Sequence, residues 1–530
     1  MNKIHVLVSD PVSEEGLASL REDPRFEVKV KTGLKHQELI REMNDCHALL
    51  VRSETKVTAE IIAAAKDLRF VGRAGTGMDN IDLAAASQAG IVVANVPGGN
   101  TISACEQTLA LLFALARNIP QADASTRAGK WERSKFVGTE LTGKTLGVLG
   151  LGRIGREVAT RGMGLSMGVL AYDPLGDESW CRRAGVVLTS LEDVLAQADF
   201  ITLHVPLTDQ TKNLLNAVSL AKCKKGVRIV NCSRGGIVNE ADLAEAVKSG
   251  HVKGAALDVF EKEPLPGDSP LRGRPEILLT PHLGASTEEA QVKVASDLAL
   301  TLVEFFEKGI ARQAVNLPSL DTVGQPFIPL ADRLGAFLGQ LVKGQSVGAL
   351  SLIYSGDVGT ITPTLLTATA VSGFLRHSCP GNVSAVNALS LASQRGLPIA
   401  EKSVREATDF TSMLEIGVTT DKGVFSLAGT VYGRGDLRLV RIDGLPVDTL
   451  PEGNLLVMRN EDKPGVVGHT GTVLAEAGIN IAGMEVARNR PGGVAISLWQ
   501  VDVDVPEEIL EKVRSHPAIL SAKMVNLKRN

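Results

Sequence analysis

In residues 1–95, short apolar runs alternate with stretches that have the residue spacing of helices. Each run ends in turn residues, as in IHVLVSD, ALLVRSET, RFVGRAGTGMDN and IVVANVPG. Continuous apolar runs of this length are typical of strands buried on both faces of a parallel sheet. The chain is therefore predicted to be an α/β protein whose first domain, starting with a strand at Ile4–Val8, is flavodoxin-like.

A glycine-rich turn follows the apolar strand predicted at Thr145–Leu149. It reads Gly150-x-Gly152-x-x-Gly155 and opens a helical stretch, after which a second strand follows. Glycines at this spacing permit a tight turn, close approach of a pyrophosphate and close packing of the helix on the strand, while the helix N-terminus attracts phosphate groups. Such loops also occur as plain structural turns. The order of strand, turn, helix and strand favours a Rossmann nucleotide-binding domain.

Asp173 at the tip of the second strand indicates which nucleotide binds. Its carboxylate is suitably placed to accept hydrogen bonds from a ribose diol. It would repel a 2′-phosphate, and Pro174 and Leu175 behind it bring no compensating cation. NAD is therefore favoured over NADP.

Three further apolar runs each lead to one polar residue. GVRIVNCSRGG leads to Arg234, AALDVFEKEP to Glu263, and EILLTPHLG to His282. Ligands of parallel sheets bind outside the carboxyl ends of the strands, so we expect these three side chains to meet in one crevice. The alternative is that the strand ends simply carry solvated polar residues.

The three residue types suit the oxidation of a hydroxyl carbon. An imidazole such as that of His282 can take the hydroxyl proton near neutral pH. Glu263 can bind the other ring nitrogen, fix the tautomer and favour the protonated imidazole. Arg234 offers a planar fork for a carboxylate beside the reacting carbon. Another strand-end histidine, His204 in ITLHVPLT, is interpreted as a lining or structural residue.

Cations elsewhere fit an anionic substrate. Arg52 and Arg73 each follow a predicted strand of the first domain, and Arg133 and Lys135 lie in the segment GKWERSKF. For the last two the alternative is an ordinary solvated basic loop.

The turn Gly75, Thr76 and Gly77 adds main-chain donors to these cations. Its N–H groups could hold a substrate carboxylate, as in other anion-binding nests. The turn follows a predicted strand of the first domain.

The later chain divides at changes of pattern and at proline- and glycine-rich breaks. A helix is expected at Thr101–Arg117, with Ser103 and Glu106 as a capping box in its first turn, and another over 286–308. Beyond the linker PSLDTVGQP the pattern is mixed α+β, and the last unit has the strand–helix–strand–strand–helix–strand order of a ferredoxin-like module. The predicted boundaries are 1–96 (substrate domain), 97–285 (Rossmann domain inserted in it), 286–317 (return to the substrate domain), 318–452 (intervening domain) and 453–530 (ferredoxin-like module).

Composition narrows the class of protein. At 530 residues the chain is too long for one core. A net charge of −4 argues against a general nucleic-acid binder. The early first strand leaves no room for a signal or transit peptide, and the longest apolar stretch, LALLFALA, is too short to span a membrane.

Six scattered cysteines without CxxC spacing indicate reduced thiols in a cytoplasmic protein and no metal site. Cys232 lies in the expected crevice, where no activating base is evident beside it. We interpret it as a packed residue that lines the site.

The runs GRAGTGMDNID, GLGRIG, VNCSRGGIVNE, GAALDVFEKEP and PHLGAST together resemble the D-isomer-specific 2-hydroxyacid dehydrogenases. The segments VRSETKVT and GKWERSKFVG and the two trailing domains are similar to a long branch of that family. The resemblance implies that Arg234, Glu263 and His282 are catalytic. It implies NAD contacts from Gly150, Gly152, Arg153, Ile154, Gly155, Asp173, Pro206, Cys232, Asp258, His282 and Gly284. It implies substrate contacts from Arg52, Arg73, Gly75, Thr76, Gly77, Arg133, Lys135 and Arg234.

The resemblance further implies oxidation of 3-phospho-D-glycerate to 3-phosphohydroxypyruvate, the first step of L-serine synthesis, by a homotetramer. Reduction of hydroxypyruvate, glyoxylate or 2-oxoglutarate is an alternative, as is an NAD-sensing binding protein.

The last module resembles an ACT domain, which can bind L-serine, and the matching positions are Asn460, Asp462 and Asn480. Serine-sensitive relatives often have His and Asn where Asn460 and Asp462 stand. The alternative is that the module serves only assembly.

Overall fold

The computed structural model describes residues 3–311, 313–319, 321–406, 409–433 and 435–527. The chain divides into two compact units. The first contains Met1–Val12, Leu17–Asn95 and Ser296–Asn530, and the second contains Ser13–Gly16 and Val96–Ala295. In sequence, the second unit thus interrupts the first.

The first unit begins with a five-stranded sheet in the order β2-β1-β3-β4-β5. Its strands are β1 (Ile4–Val8), β2 (Phe26–Val30), β3 (Ala48–Val51), β4 (Phe70–Arg73) and β5 (Val92–Asn95). Its helices are α1 (Ala18–Glu22), α2 (His36–Glu42), α3 (Ala59–Ala64) and α4 (Leu83–Gln88). All strand pairs are parallel, which confirms the predicted flavodoxin-like order.

The second unit starts with α5 (Thr101–Arg117) and α6 (Ile119–Arg127). Helix α5 has the predicted bounds, but the capping box predicted at Ser103 and Glu106 is wrong. A capping side chain belongs to the residue before the first helical turn, and Asn100 occupies that position. Ser103 lies inside the helix, and its Oγ is buried without a hydrogen-bond partner in the described part of the chain.

A seven-stranded parallel sheet follows, in the order β12-β11-β10-β9-β6-β7-β8. Its strands are β6 (Thr145–Leu149), β7 (Gly168–Tyr172), β8 (Val187–Leu188), β9 (Phe200–Leu203), β10 (Val227–Asn231), β11 (Val252–Leu257) and β12 (Ile277–Leu279). Its helices are α7 (Arg153–Gly164), α8 (Glu178–Ala184), α9 (Leu191–Gln197), α10 (Ala217–Lys222) and α11 (Glu240–Lys248). The strand order reverses between β6 and β9, which is the switch point where Rossmann domains bind nucleotides.

The chain then returns to the first sheet through helix α12 (Glu288–Lys308). The Phe305 and Phe70 rings lie 5.3 Å apart, and the Phe306 and Phe26 rings 6.0 Å apart. The C-terminal half of the helix therefore packs on the first sheet, as predicted.

After α12 the chain runs along the outer edge of β5. Ala314 forms an antiparallel bridge with Ala94. Asn316 Oδ1 accepts a hydrogen bond from the Val93 N–H at 2.9 Å, and its Nδ2 donates to the Ile91 carbonyl at 2.8 Å. Strand β5 is thus held on both sides, by β4 and by this segment.

The rest of the first unit contains two further sheets. The six-stranded one has the order β14-β13-β15-β16-β17-β18 and the four-stranded one the order β20-β21-β19-β22. The former comprises α13 (Ile328–Leu341), β13 (Val347–Gly356), α14 (Thr364–Leu375), α15 (Ala388–Gln394), β14 (Ile399–Val404), β15 (Ser412–Thr420), β16 (Gly423–Tyr432), β17 (Asp436–Ile442) and β18 (Leu445–Thr449). The latter comprises β19 (Asn454–Glu461), α16 (Val466–Glu476), β20 (Ile481–Arg488), β21 (Val494–Val501), α17 (Glu507–Arg514) and β22 (Ile519–Asn526), which confirms the ferredoxin-like prediction.

None of these helices combines the length and the hydropathy that crossing a membrane needs. Within the described residues, no three His, Cys, Asp or Glu side chains are grouped so that they could hold a metal ion. All six cysteines are free thiols, and five of them are buried.

Candidate active site

The candidate catalytic residues follow β10, β11 and β12, three neighbouring strands of the second unit's sheet. These strands are parallel, so the segments that carry Arg234, Glu263 and His282 leave the same edge of the sheet. The sequence predicted this placement from three apolar runs that each lead to one polar residue.

His282 and Glu263 form a hydrogen-bonded pair. His282 Nδ1 lies 2.8 Å from Glu263 Oε2, and the two side chains are 42% and 39% exposed. Burial by itself would raise the pKa of Glu263, but the hydrogen bond to His282 and its charge outweigh burial. The Phe260 N–H and the charge of Arg234 act in the same direction, so that the pKa of Glu263 is below its ordinary value. The carboxylate can hold the Nδ1–H tautomer and leave Nε2 to exchange a proton with a ligand.

Arg234 lies in a turn that a buried asparagine fixes. Asn231, the last residue of β10, is 1% exposed. Its Nδ2 donates to the Arg234 carbonyl at 2.9 Å, while its Oδ1 accepts from the N–H and the hydroxyl of Ser233. Arg234 Nη1 donates to the Ser233 carbonyl at 2.7 Å. No role was predicted for Asn231 from the sequence.

Asp258 fixes the loop that carries His282. This carboxylate is fully buried and follows the last residue of β11. It accepts hydrogen bonds from the Thr280 hydroxyl at 2.5 Å and from the N–H groups of Leu283 and Gly284, both at 2.8 Å. His282 has a φ of 57°, the left-handed region. Residues on both sides of the candidate acid–base are thus anchored.

The glycine-rich loop fits a dinucleotide at each of its three glycines. Gly150 has a φ of 97°, and a Cβ there would lie 2.6 Å from the His204 carbonyl oxygen. A Cβ on Gly155 would lie 1.9 Å from the Gly150 carbonyl oxygen, so any side chain would separate α7 from β6. At Gly152, by contrast, no atom lies within 4 Å of the Cβ position. A side chain there would fill the space that a pyrophosphate needs at the start of α7.

Asp173 follows β7 and already holds the glycine-rich loop. Its Oδ2 accepts from the Leu151 N–H at 2.7 Å, and its Oδ1 accepts from the Leu175 N–H at 2.8 Å. A carboxylate has lone pairs beyond these two bonds, so acceptance from a ribose diol is compatible with this role.

The other predicted cofactor residues lie along the same edge of the sheet. Arg153 and Ile154 open α7, and the Pro206 carbonyl accepts from the Thr211 hydroxyl. Cys232 is buried, and burial raises the pKa of its thiol to about 12. It is therefore an uncharged packed residue.

His204 is engaged in a local contact. Its Nε2 lies 3.0 Å from the Thr202 hydroxyl. Burial lowers the pKa of His204 to about 3, which keeps the imidazole neutral. This agrees with a lining or structural role.

In the first unit, Arg52 and Arg73 lie at the carboxyl edge of the five-stranded sheet. Asn80 holds both: its Oδ1 accepts from Arg73 Nε at 3.0 Å, and its Nδ2 donates to the carbonyls of Arg52 and Thr55. The carboxylate of Asp10, 1% exposed, accepts from the Arg52 and Thr55 N–H groups. These two holding residues were not predicted.

The predicted anion-binding turn lies next to Arg73. A Cβ on Gly75 would be 2.6 Å from Arg73 Nη1, so glycine leaves room for the guanidinium to fold back. Thr76 is exposed, and its carbonyl accepts from Asn95 Nδ2. Gly77 is half-buried.

Arg133 and Lys135 lie in the second unit, in a short 3-10 turn at Arg133–Phe136. Both are exposed. Lys135 Nζ pairs with Glu132 Oε1 at 2.5 Å, so a ligand would have to compete with that carboxylate.

The positions predicted for an effector are engaged in local contacts. Asn460 is 4% exposed, and its Oδ1 accepts from the Ser497 hydroxyl at 3.1 Å. Asp462 Oδ2 pairs with Arg488 Nη1 at 2.7 Å, which lowers the pKa of Asp462. Asn480 donates to the Asp502 carboxylate.

Three family models match successive parts of the chain. They are the NAD-binding domain of D-isomer specific 2-hydroxyacid dehydrogenases (109–284), the D-3-phosphoglycerate dehydrogenase intervening domain (324–443) and the ACT domain (454–518). Over 528 residues the chain is 43% identical to D-3-phosphoglycerate dehydrogenase of Archaeoglobus fulgidus, which covers 98% of this chain and 100% of that protein. The chain belongs to the D-3-phosphoglycerate dehydrogenase family.

Other relatives extend the comparison. The enzyme of the same name from Bacillus subtilis is 40% identical over 526 residues, 98% of this chain and 99% of that protein. Among solved structures, D-lactate dehydrogenase from Aquifex aeolicus in complex with NAD and lactic acid has a TM-score of 0.53 and 27% identity, covering 59% of this chain and all of that one. NAD is thus the cofactor of the domain that contains the glycine-rich loop.

Three anchoring residues that were not recognised as anchors from the sequence share a sequence signal. Asn231, Asp258 and Asn95 each lie at the end of an apolar run, within one residue of a strand's last position. A lone polar residue there could have been recognised as the anchor of a loop at that edge of the sheet. Asp258 was predicted only as a cofactor contact.

Proposed function

We propose that this chain oxidises 3-phospho-D-glycerate to 3-phosphohydroxypyruvate with NAD, the first step of L-serine synthesis. Relatives with that printed activity match over nearly the whole length at about 40% identity. The observation that carries the chemistry is the 2.8 Å contact between His282 and Glu263 at the carboxyl edge of an NAD-binding sheet.

The reaction removes a proton and a hydride from the alcohol. A bound NAD, held by the glycine-rich loop and Asp173, would supply the hydride acceptor for C2. His282 Nε2 takes the hydroxyl proton, and the Glu263 carboxylate stabilises the imidazolium that results. Because His282 is about half-exposed, it can pass this proton to solvent.

The anionic groups of the substrate need cations. Arg234 can bind the carboxylate through its guanidinium fork, and the N–H groups of the turn Gly75 to Gly77 can do so as well. We propose that Arg52, Arg73, Arg133 and Lys135 bind the phosphate. Asn80 supports this assignment for the first two, because it fixes the Arg73 guanidinium and the Arg52 main chain.

NADH formation with 3-phospho-D-glycerate, followed by absorbance, tests the proposal. The double variant Arg133→Ala/Lys135→Ala should raise KM for the phosphorylated acid roughly tenfold, because one charge-assisted contact contributes about 1.5–3 kcal/mol. Arg127→Ala is the matched control, since within the described residues this exposed arginine pairs only with Asp123 on its own helix. An unchanged KM in the double variant would refute the proposal that Arg133 and Lys135 bind the phosphate.

The rival substrates are hydroxypyruvate, glyoxylate and 2-oxoglutarate. Faster NADH consumption with one of these than NADH formation with 3-phospho-D-glycerate would favour that rival. Absence of turnover with every acid tested, together with NAD binding, would favour an NAD-sensing binding protein.

For the ACT domain we propose L-serine as ligand at Asn460, Asp462 and Asn480. The ligand's ammonium would compete with the Arg488 guanidinium for Asp462. Assays with and without L-serine decide between an effector site and a module that serves only assembly.

We further propose a homotetramer, testable by light scattering. A cytoplasmic location is supported by the six free cysteines, since a reducing compartment keeps thiols unpaired.

A further inference from the structure

Asn95 is a buried residue of the first unit to which the proposed chemistry gives no role. It is the last residue of β5, is 8% exposed and lies beside Arg73 in the sheet. Its Nδ2 donates to the Thr76 carbonyl at 2.5 Å. The amide therefore connects a fixed strand to the turn Gly75–Gly77.

This contact determines which way the turn presents its donors. In the described chain the peptide bond between Thr76 and Gly77 is trans. The carbonyl and the N–H of a trans peptide point in opposite directions, so a Thr76 carbonyl directed at Asn95 turns the Gly77 N–H away from β5. Within the described residues that N–H has no acceptor.

We propose that Asn95 is a positioning residue that aims the Gly77 N–H at the substrate carboxylate. This deepens the proposed function and rests on it. The residue type suits the task, because the partner is a carbonyl oxygen and the side chain must donate.

Strand β5 provides a rigid base for the amide. Arg73 of β4 lies on one side of Asn95, and the Gln313 carbonyl accepts the Asn95 N–H on the other. The turn can therefore be held in one orientation before substrate binds, which lowers the entropy that binding costs.

Asn95→Ala removes the donor. We expect KM for 3-phospho-D-glycerate to rise about tenfold, the effect of weakening one hydrogen bond to a charged group. KM for NAD and kcat should each change less than twofold, because the side-chain amide of Asn95 binds the turn Gly75–Gly77 and belongs neither to the glycine-rich loop nor to the segment that carries His282.

Asn316→Ala is the matched control for a purely structural effect. Asn316 holds the same strand through Val93 and Ile91 without touching the turn. Asn316→Ala should lower Tm at least as much as Asn95→Ala does. It should leave KM for 3-phospho-D-glycerate unchanged. If both variants raise KM equally, the effect is general loosening of β5 and the proposal is overturned.

Asn95→Asp gives a second test, which applies even if the alanine variant does not fold. A protonated carboxyl can donate to the Thr76 carbonyl, whereas a carboxylate repels it. The ratio of the variant's KM to that of the wild type should therefore fall as pH is lowered, because burial favours the protonated form. A ratio that is constant with pH, or no rise in KM, would overturn the proposal.

Failure of this inference is distinguishable from failure of the proposed function. A wild-type chain that oxidises 3-phospho-D-glycerate, with a normal KM in Asn95→Ala, refutes only the role of Asn95. A wild-type chain without turnover refutes both.

Discussion

The two parallel sheets carry different groups at their carboxyl edges. In the second unit, β11 and β12 lead to Glu263 and His282, which can exchange a proton. In the first unit, β3 and β4 lead to Arg52 and Arg73, whose guanidinium groups are planar cations. The edge of the second unit can therefore exchange a proton, whereas the edge of the first unit offers cations that can hold an anion.

The two edges nevertheless use the same means to fix their loops. Each has buried Asn and Asp residues that bind main-chain groups of a loop at that edge: Asn231 and Asp258 in the second unit, Asp10 and Asn95 in the first. In both units the functional side chains lie partly exposed, and buried neighbours set their geometry. Changes at the two edges should therefore separate into effects on kcat and effects on KM.

The largest effect is expected from His282→Ala. Loss of the proton acceptor should lower kcat by about 10²–10⁴-fold, while NAD affinity, measured by fluorescence titration, stays within a factor of two or three. If an arginine variant of the first unit lowered kcat equally and left KM unaffected, the proposed division between the two edges would be wrong.

Asn231→Ala should have the next largest effect. Without the amide, the Arg234 turn loses the anchor at its carbonyl, and a displacement of about 1 Å near the reacting atoms can cost 10²-fold in rate. Steady-state kinetics should show a fall in kcat/KM of roughly 10–100-fold. A Tm loss with unchanged kinetics would show instead that Asn231 only stabilises the fold.

Asn80→Ala is the corresponding change at the edge of the first unit. The Arg73 guanidinium loses the hydrogen bond to Asn80 Oδ1, so KM for the phosphorylated acid should rise roughly tenfold with kcat changed less than threefold. Both kcat and KM should be measured for Asn80→Ala and Asn231→Ala. If the two variants changed kcat and KM in the same way, the proposed difference between the two edges would be wrong.

The smallest effect concerns stability and pH. The pKa of Glu263 is lowered in the folded chain, so its contacts stabilise the fold above the ordinary carboxyl pKa of about 4.3. That contribution is lost as pH falls through the lower folded value. The Tm difference between wild type and Glu263→Gln should thus be about 1–3 °C near pH 6 and shrink steadily as the pH is lowered into the acid range. The Tm difference between wild type and Asn80→Ala should not show this pH dependence, because the Asn80 side chain binds a guanidinium and two main-chain carbonyls.

The main architecture and the central residues could be predicted from sequence because they depend on local patterns. Apolar runs marked the strands, and the spacing of Gly150, Gly152 and Gly155 marked the nucleotide loop. The contact between Glu263 and His282 followed from the rule that parallel strands end at one edge.

The remaining details depend on contacts between residues distant in sequence. The Asn80 side chain binds the main chain 28 residues earlier, and no periodicity reveals such a bond. The capping box at Ser103 failed because the helix starts earlier than the motif indicates. The pairing of Asp462 with Arg488 depends on strand β20 lying near the end of β19, which composition does not report.

The left-handed backbone at His282 restricts what could replace this residue. Only a few non-glycine types occupy that region readily, and Asn, Asp and His are the enriched ones. Of these, only histidine has an unperturbed pKa near neutrality. A lysine or tyrosine introduced as an alternative proton acceptor would face a conformational penalty as well as a chemical one. The loop thus narrows the choice of acid–base to nearly a single amino acid.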